Sequence, residues 1–156
     1  MSGKARFAVA RLGAGDLGEA RALNALFAAS FEAPGHYLGR PPGDEWLARL
    51  LAREQVVVLV ARAEGKVLGG LVAYVLEKLE RAGSEIYIYD LAVDAGHRRR
   101  GVATALIGHL QALAPAAGAE VIYVQADHGD DPAVALYTKL GTREDVMHFD
   151  IAVPGQ

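Results

Sequence analysis

The chain has 156 residues, 52% of them hydrophobic, enough for a single core-bearing domain over 1–156 and too few to divide comfortably into two. Sixteen Lys and Arg against 19 Asp and Glu give a formal net charge of -3, which excludes a broad basic face for nucleic acid. With no cysteine there is no disulfide framework, thiolate nucleophile or cysteine metal site, and without an apolar run of leader or membrane-span length the expectation is a soluble, cytoplasmic protein that binds neither nucleic acid nor membrane.

In chain order, RFAVARL (6–12) alternates as a strand, and Asp16 is placed to cap the helix LGEARALNALFAASF. APGHYLGRPPG (33–43) reads as an ordered loop, after which Asp44 repeats the capping device for EWLARLLARE. QVVVLVAR and KVLGGLVAYVLEKL are β-branched runs joined by AEGK, a hairpin pattern, and EIYIYDLAV (85–93) is a third strand. Beyond HRRRG, the residues Val102, Leu106, Leu110 and Leu113 share a helical stripe that Gly118 can terminate. VIYVQAD (121–127) reads as a buried strand, DPAVALYTKLG as a helix and VMHFDIAV as a last strand. Strands separated by helices need crossover connections, so the fold is expected to be α/β or α+β with a partly parallel sheet.

The stretch HRRRGVATAL raises the question of why three arginines gather at the mouth of a helix in an acidic chain. A helix N-terminus presents unpaired amide donors and the positive end of the dipole, so anions bind there. Arg98, Arg99 and Arg100 add charge, and Gly101 and Ala103 leave room for a ligand to approach the backbone. A solvated basic turn that only caps the helix is the plainer alternative.

Val93, Arg98, Gly101 and Ala103 match the acetyl-CoA pattern of the GNAT superfamily, an apolar residue followed by Gln/Arg-x-x-Gly-x-Gly/Ala, and ALYTKLG (135–141) resembles its second hallmark. SEIYIYDLAV, HRRRGVATALI, VIYVQADHGDDPAVALYTKLG and VMHFDI resemble the class I aminoglycoside 3-N-acetyltransferases, the gentamicin-modifying branch, over nearly all of 84–151; residues 28–45 match least. The resemblance implies a GNAT fold with a mixed central sheet of about six or seven strands and about four helices. It implies acetyl-CoA as cosubstrate, no metal, and transfer to the 3-amino group of the 2-deoxystreptamine ring of an aminoglycoside in a ternary complex, conferring resistance. Leu91, Ala92, Val93, Arg98 to Arg100, Gly101, Val102, Ala103, Thr104, Asp130 and Tyr137 would then face the cofactor. The 85–93 strand would splay from the next one, a bulge near Leu91 and Ala92 would expose amides, and the Val93 amide would hold the oxyanion.

Tyr137 would stand near the departing sulfur, able to donate a proton or a hydrogen bond; otherwise it is a core tyrosine with a hydroxyl at the rim. The nucleophilic amine needs a proton acceptor, and Asp90, in the middle of an apolar strand, is the leading candidate, with Glu85 or ordered water as alternatives. Strand parity puts Tyr87, Tyr89 and Leu91 on one face and Asp90 on the other unless a bulge rotates it, so a structural role for Asp90 stays open. Pro132 makes Asp131 the expected N-cap of its helix. Asp127, Asp130, Tyr89, Glu32 and Tyr37 are expected to line the acceptor side, where carboxylates would concentrate a polycation, and Asp44, Glu45 and Trp46 are further front-loop candidates. A metal held by the aspartates beside His128 is the weaker reading of that turn. His97 reads as a loop residue and His109 as a helix-surface residue, and His36 and His148 have no assigned place. Two rivals remain: a GNAT enzyme for a polyamine, peptide N-terminus or small metabolite, and a non-catalytic coenzyme A-binding module. A homodimer is possible because several strands have edges that need cover.

Overall fold

The computed structural model describes residues 6–156. The expectation of no leader rests in part on residues 1–5, which lie outside the described residues. Contacts divide the chain into two compact units, one running to Gln125 and one of Ala126–Gln156.

The first unit is a five-stranded sheet ordered β1-β2-β3-β4-β5, with β1 Ala8–Arg11, β2 Val56–Ala63, β3 Lys66–Glu77, β4 Ser84–Val93 and β5 Ala119–Val124. β1 to β4 pair antiparallel, and β4 and β5, separated by a helix, pair parallel as the crossover required. The β2–β3 turn is two residues, Glu64 and Gly65, both left-handed at φ 51° and 74°, the geometry whose twist matches the flanking strands.

Helices α1 (Leu17–Ser30), α2 (Pro34–Leu38) and α3 (Asp44–Leu51) precede β2, and α4 (Val102–Leu113) links β4 to β5. Alternate β-residues face opposite ways, and the two faces have separate cores. Val56, Val58, Val60 and Ala92 pack with Leu23 and Phe27 of α1 and Leu47 and Leu51 of α3. The other parity, Leu59, Leu71, Ala73, Ile86 and Ile88, is buried where α4 contributes Leu106 and Leu110. Two glycines mark how closely these layers approach: a Cβ at Gly70 would lie 2.6 Å from Leu23 of α1, and one at Gly69 would lie 3.3 Å from Val102 of α4.

Several expectations are corrected. The 33–43 segment contains α2, because Pro34, with its fixed φ and missing N–H, suits a helix start. Asp16 does not cap the first-turn amides of α1; its Oδ2 accepts from Gly13 N at 2.7 Å. Asp44 is the first residue of α3 rather than its cap, and its carboxylate is drawn into an ion pair with Arg21 at 2.6 Å. α4 ends at Leu113, and Gly118, at φ 70°, closes the following turn instead. β5 is an edge strand with both faces partly exposed, not a buried one.

In the second unit, α5 (Asp131–Leu140) is capped by Asp130, whose Oδ1 accepts from Ala133 N at 3.3 Å. Asp131 therefore lies inside the helix, and the expected cap is displaced by one residue. Residues 143–153 carry no regular element, so the last expected strand is not formed, and among the described residues the strands number five rather than six or seven. The class, mixed α+β, is the expected one.

Candidate active site

The site is organised by one irregularity in β4. Val72 pairs with Asp90 and Ala73 with Ile88, leaving Tyr89 as an extra residue. The bulge expected near Leu91 and Ala92 thus lies at Tyr89. Its effect is on parity: Ile86 and Ile88 face α4, Tyr87 faces the α1 side opposite Tyr74, and Asp90, opposite Val72, faces the α1 side as well. Simple alternation would have put Asp90 beneath α4 with the isoleucines.

Asp90 is half-buried, and Tyr37 Oη of α2 donates to its Oδ1 at 3.0 Å. Tyr37 is held by Phe27 and Phe31, with ring centroids 5.8 and 5.7 Å away, and by an edge contact with His36. Burial raises the Asp90 carboxyl above its ordinary range, while the Tyr37 hydrogen bond and the nearby His36 work in the opposite direction. The Tyr37 phenol is raised well above its own range, first by burial and then by the Asp90 charge. The raised phenol keeps Tyr37 the donor, and its hydrogen bond favours the ionised Asp90 against the burial that disfavours it.

Beside this pair an aromatic row crosses three strands. Tyr89 makes edge contacts with Tyr74 and Tyr87, and Tyr87 stacks on Tyr123 at 4.8 Å and donates from Oη to Gln125 Oε1 at 2.8 Å. Tyr89 remains 58% exposed, so its ring is available to a ligand. Tyr74 and Tyr123 escaped the sequence reading because each sits singly in its own strand; only the register aligns them.

The end of β4 offers backbone groups. β5 pairs with β4 only as far as Ile88, and among the described residues of the first unit no strand pairs with Tyr89–Val93 on that side, the splay expected there. Asp94 N donates to Leu68 O at 2.7 Å. By antiparallel alternation, Ala92 then also bonds toward β3, and the amides of Leu91 and Val93 point away from it into the splay. The contact of Arg98 Nε with Val93 O at 3.4 Å lies on that outward side. Gly69 keeps this end of the strand close: a Cβ there would be 2.8 Å from Ala92 O and 3.2 Å from Val93 Cα.

The arginine turn follows directly. Asp94 Oδ2 caps a short 3-10 turn, Ala95–His97, by accepting from Gly96 N at 3.2 Å, and lies 2.8 Å from His97 Nδ1, which holds the Asp94 carboxyl below its ordinary range. Arg99 at φ 63° and Gly101 at φ 77° are both left-handed, reversing the chain so that α4 begins at Val102. Val102 is buried, whereas Arg98, Arg99, Arg100, Gly101 and Thr104 are exposed and Ala103 partly so. None of the three arginines makes an ion pair with a carboxylate among the described residues. First-turn amides and guanidinium groups without an ion pair are donors of the kind that can receive an anion.

Glu85, the alternative base, is engaged at the far end of β4 by Lys78, at 3.0 Å. Glu32 is exposed at a left-handed φ of 52° after α1, with no hydrogen bond from its side chain among the described residues. Trp46 is exposed under Arg49, and Glu45 is exposed on α3. In the second unit, Tyr137 on α5 is pushed up to about 12, chiefly by burial and then by the Asp130 charge. Asp127 O accepts from Asp130 N at 3.2 Å, and both aspartates are exposed. Among the described residues no three His, Asp or Glu side chains are grouped to hold a metal, and no helix is long and apolar enough to cross a membrane.

Comparison with known proteins places this geometry. A family model described as Acetyltransferase (GNAT) family matches residues 21–142. A solved structure of the aminoglycoside acetyltransferase HMB0005, from an uncultured soil metagenomic sample, is 47% identical, with 94% of this chain and 98% of that one covered and a TM-score of 0.92. The aminoglycoside acetyltransferase meta-AAC0020, also from an uncultured soil metagenomic sample and solved in complex with sisomicin, is 35% identical, with 94% and 96% covered and a TM-score of 0.87. An N-alpha-acetyltransferase of Sulfurisphaera tokodaii is 28% identical over 105 residues, and the match spans 60% of this chain and 60% of that relative's length. With the family match extending over residues 21–142, from within α1 to just past α5, the splayed β4 and the arginine turn are features of an acetyltransferase, and the chain belongs to the GNAT family.

Proposed function

We propose that this GNAT enzyme transfers the acetyl group of acetyl-CoA to the 3-amino group of the 2-deoxystreptamine ring of an aminoglycoside, and so confers resistance. The observation that carries the reading is the placement of Asp90: the bulge at Tyr89 turns a half-buried carboxylate onto an aromatic face three residues before an outward-pointing amide at Val93. The likeness to HMB0005 and to sisomicin-bound meta-AAC0020 supports the acceptor class.

In this reading the arginine turn, with the first-turn amides of Val102, Ala103 and Thr104, holds the pyrophosphate of the cosubstrate, and Leu91 and Val93 hydrogen-bond its arm. The Val93 N–H holds the oxygen that gains charge when the amine attacks the thioester carbonyl. A new N–C bond forms, the C–S bond breaks, and the ammonium proton passes to Asp90. Strand rise puts Asp90 about 10 Å from Val93, room for the carbonyl, the amine and one bridging water. Tyr137, protonated at neutral pH, donates to the departing sulfur; with its phenol at about 12, a hydrogen bond is the more favourable form of that help than full proton transfer. Tyr89 gives the sugar rings a flat contact, and Asp90, Asp127, Asp130 and Glu32 draw a polycation to the acceptor side. Transfer is direct, since no cysteine is available to carry an acyl group.

The test is thiol release from acetyl-CoA with purified protein, comparing gentamicin and sisomicin with spermine, a peptide with a free N-terminus and no acceptor. Release confined to the aminoglycosides, with the product mapped to the 3-amine, supports the reading. Release with spermine or the peptide alone replaces the substrate, and silence with every amine, alongside tight acetyl-CoA binding, favours a non-catalytic module.

A further inference from the structure

His36 lies against the residue that holds Asp90. It precedes Tyr37 in α2, and successive helical residues point about 100° apart, so Tyr37 turns inward to Phe27, Phe31 and Asp90 while His36 stays exposed. The imidazole nevertheless folds back on its neighbour, with ring centroids 4.9 Å apart and ring planes at 86°.

Asp90 has the complementary need. It is half-buried, where an ionised carboxylate is costly, and among the described residues it forms no ion pair with a Lys, Arg or His. Its hydrogen-bond donor is Tyr37, a phenol. Tyr74 of β3 and Tyr87 of β4 feel the Asp90 charge, and Tyr89 adjoins it at the bulge. All four phenols carry no charge at neutral pH. From α1 the pair meets the rings of Phe27 and Phe31. The charged residues that flank α2 in sequence, Glu32 and Arg40, are both exposed, where salt and water screen them. His36 is the cationic side chain whose charge reaches Asp90, and its effect opposes that of burial.

We infer that His36 is a positioning residue, whose imidazolium, seated on the Tyr37 ring, keeps Asp90 ionised as the pH falls. The inference rests on Asp90 being the base. An imidazole gains its proton as the pH falls through its ordinary range, about 6.5, and a positive charge nearby then favours the carboxylate over the carboxylic acid. The support therefore grows under the conditions that would otherwise neutralise the base. His36 does this without touching the acceptor, and α2 delivers the hydrogen bond and the charge together.

The test reads the carboxyl directly. The carboxyl-carbon NMR resonance of Asp90 is titrated in the free wild-type protein and in His36→Gln, His36→Phe and His36→Lys, each checked for folding by circular dichroism. Thiol release from acetyl-CoA with sisomicin gives the acid limb of kcat/KM for the same proteins. In His36→Gln the Asp90 midpoint is expected to rise by about half a pH unit in ~0.1 M salt, and the difference to shrink in ~1 M salt, as for an exposed charge. His36→Phe, which keeps a ring against Tyr37 without the charge, is expected to follow His36→Gln, and His36→Lys to hold the midpoint at or below the wild-type value. The acid limb is expected to move with the carboxyl in each. An Asp90 midpoint unchanged in His36→Gln, or raised there but not in His36→Phe, overturns the inference. A midpoint that moves while the acid limb stays put removes Asp90 as the base, and the role of His36 in the reaction with it.

Discussion

Replacing Tyr37 by phenylalanine removes one oxygen and leaves the ring between Phe27 and Phe31 in place. What is lost is the hydrogen bond donated to Asp90 at 3.0 Å, one of the two influences that hold the carboxylate's pKa down against burial. A hydrogen bond to a charged group is worth about 1.5–3 kcal/mol, and because Asp90 is only half-buried the lower end applies. At 1.36 kcal/mol per pH unit, the Asp90 carboxyl should rise by about one further unit. If Asp90 is the proposed base it acts only when ionised, so the acid limb of the kcat/KM profile should move to higher pH by about one unit, with activity on the alkaline plateau reduced far less. The assay is thiol release across pH 5 to 9 for the wild type, Tyr37→Phe, Asp90→Asn and the double variant. Asp90→Asn should lose most activity and lack the limb, and adding Tyr37→Phe to it should change the pH profile no further. An acid limb that stays put in Tyr37→Phe, or moves to lower pH, refutes Asp90 as the base.

The same carboxylate makes a stability prediction of opposite sign to its catalytic one. Because its folded pKa is raised, Asp90 contributes stability below the unfolded carboxylate range, near 4, and loses that contribution as pH rises through the folded value. Asp90→Asn should therefore raise Tm at pH 8 and leave it nearly unchanged near pH 3; thermal melts at both pH values check this, and a lower Tm at pH 8 counts against it. Gly69→Ala should force β4 outward at Val93, costing about 1–3 kcal/mol in denaturant titration and reducing kcat/KM by about tenfold or more. Tyr137→Phe should lower kcat about tenfold to a hundredfold with acetyl-CoA affinity little changed, and unaltered turnover would remove Tyr137 from the reaction. Gly101→Ala must adopt a left-handed φ at a cost of about 1–2 kcal/mol, and its KM for acetyl-CoA should rise at nearly constant kcat.

The elements that sequence alone identified are those whose signal is local and repeated. VVVLVARA and KVLGGLVAYVLE are β-branched runs joined by a turn of Glu64 and Gly65, and the Val102, Leu106, Leu110 stripe is one face of α4. The arginine turn was legible because anion binding there depends on residues adjacent in sequence. The caps were not, because an aspartate near a helix start has several amides and cations within reach. Asp16 took Gly13 N, Asp44 took Arg21, and Asp130 forestalled Asp131. Nor was the Tyr37 contact with Asp90, 53 residues apart, or the bulge at Tyr89, which leaves no mark in composition and appears only when β3 fixes the register. VMHFDIAV shows the converse: alternation prepares a strand, and a ladder partner is still needed to make it one.

Tyr89 makes β4 a jointed strand. Ser84–Ile88 takes its phase from β5 and from one stretch of β3, Asp90–Val93 takes its phase from the next stretch of β3, and the tyrosine lies at the seam without a partner of its own. The two segments are therefore set independently. A deletion at Tyr89 would close the seam and leave Asp90 opposite Val72 and Val93 opposite Gly69, whereas a deletion on either side of it would rotate one segment by a full face. Length variation in this strand is thus confined to one position, and that position carries the most exposed ring of the aromatic row.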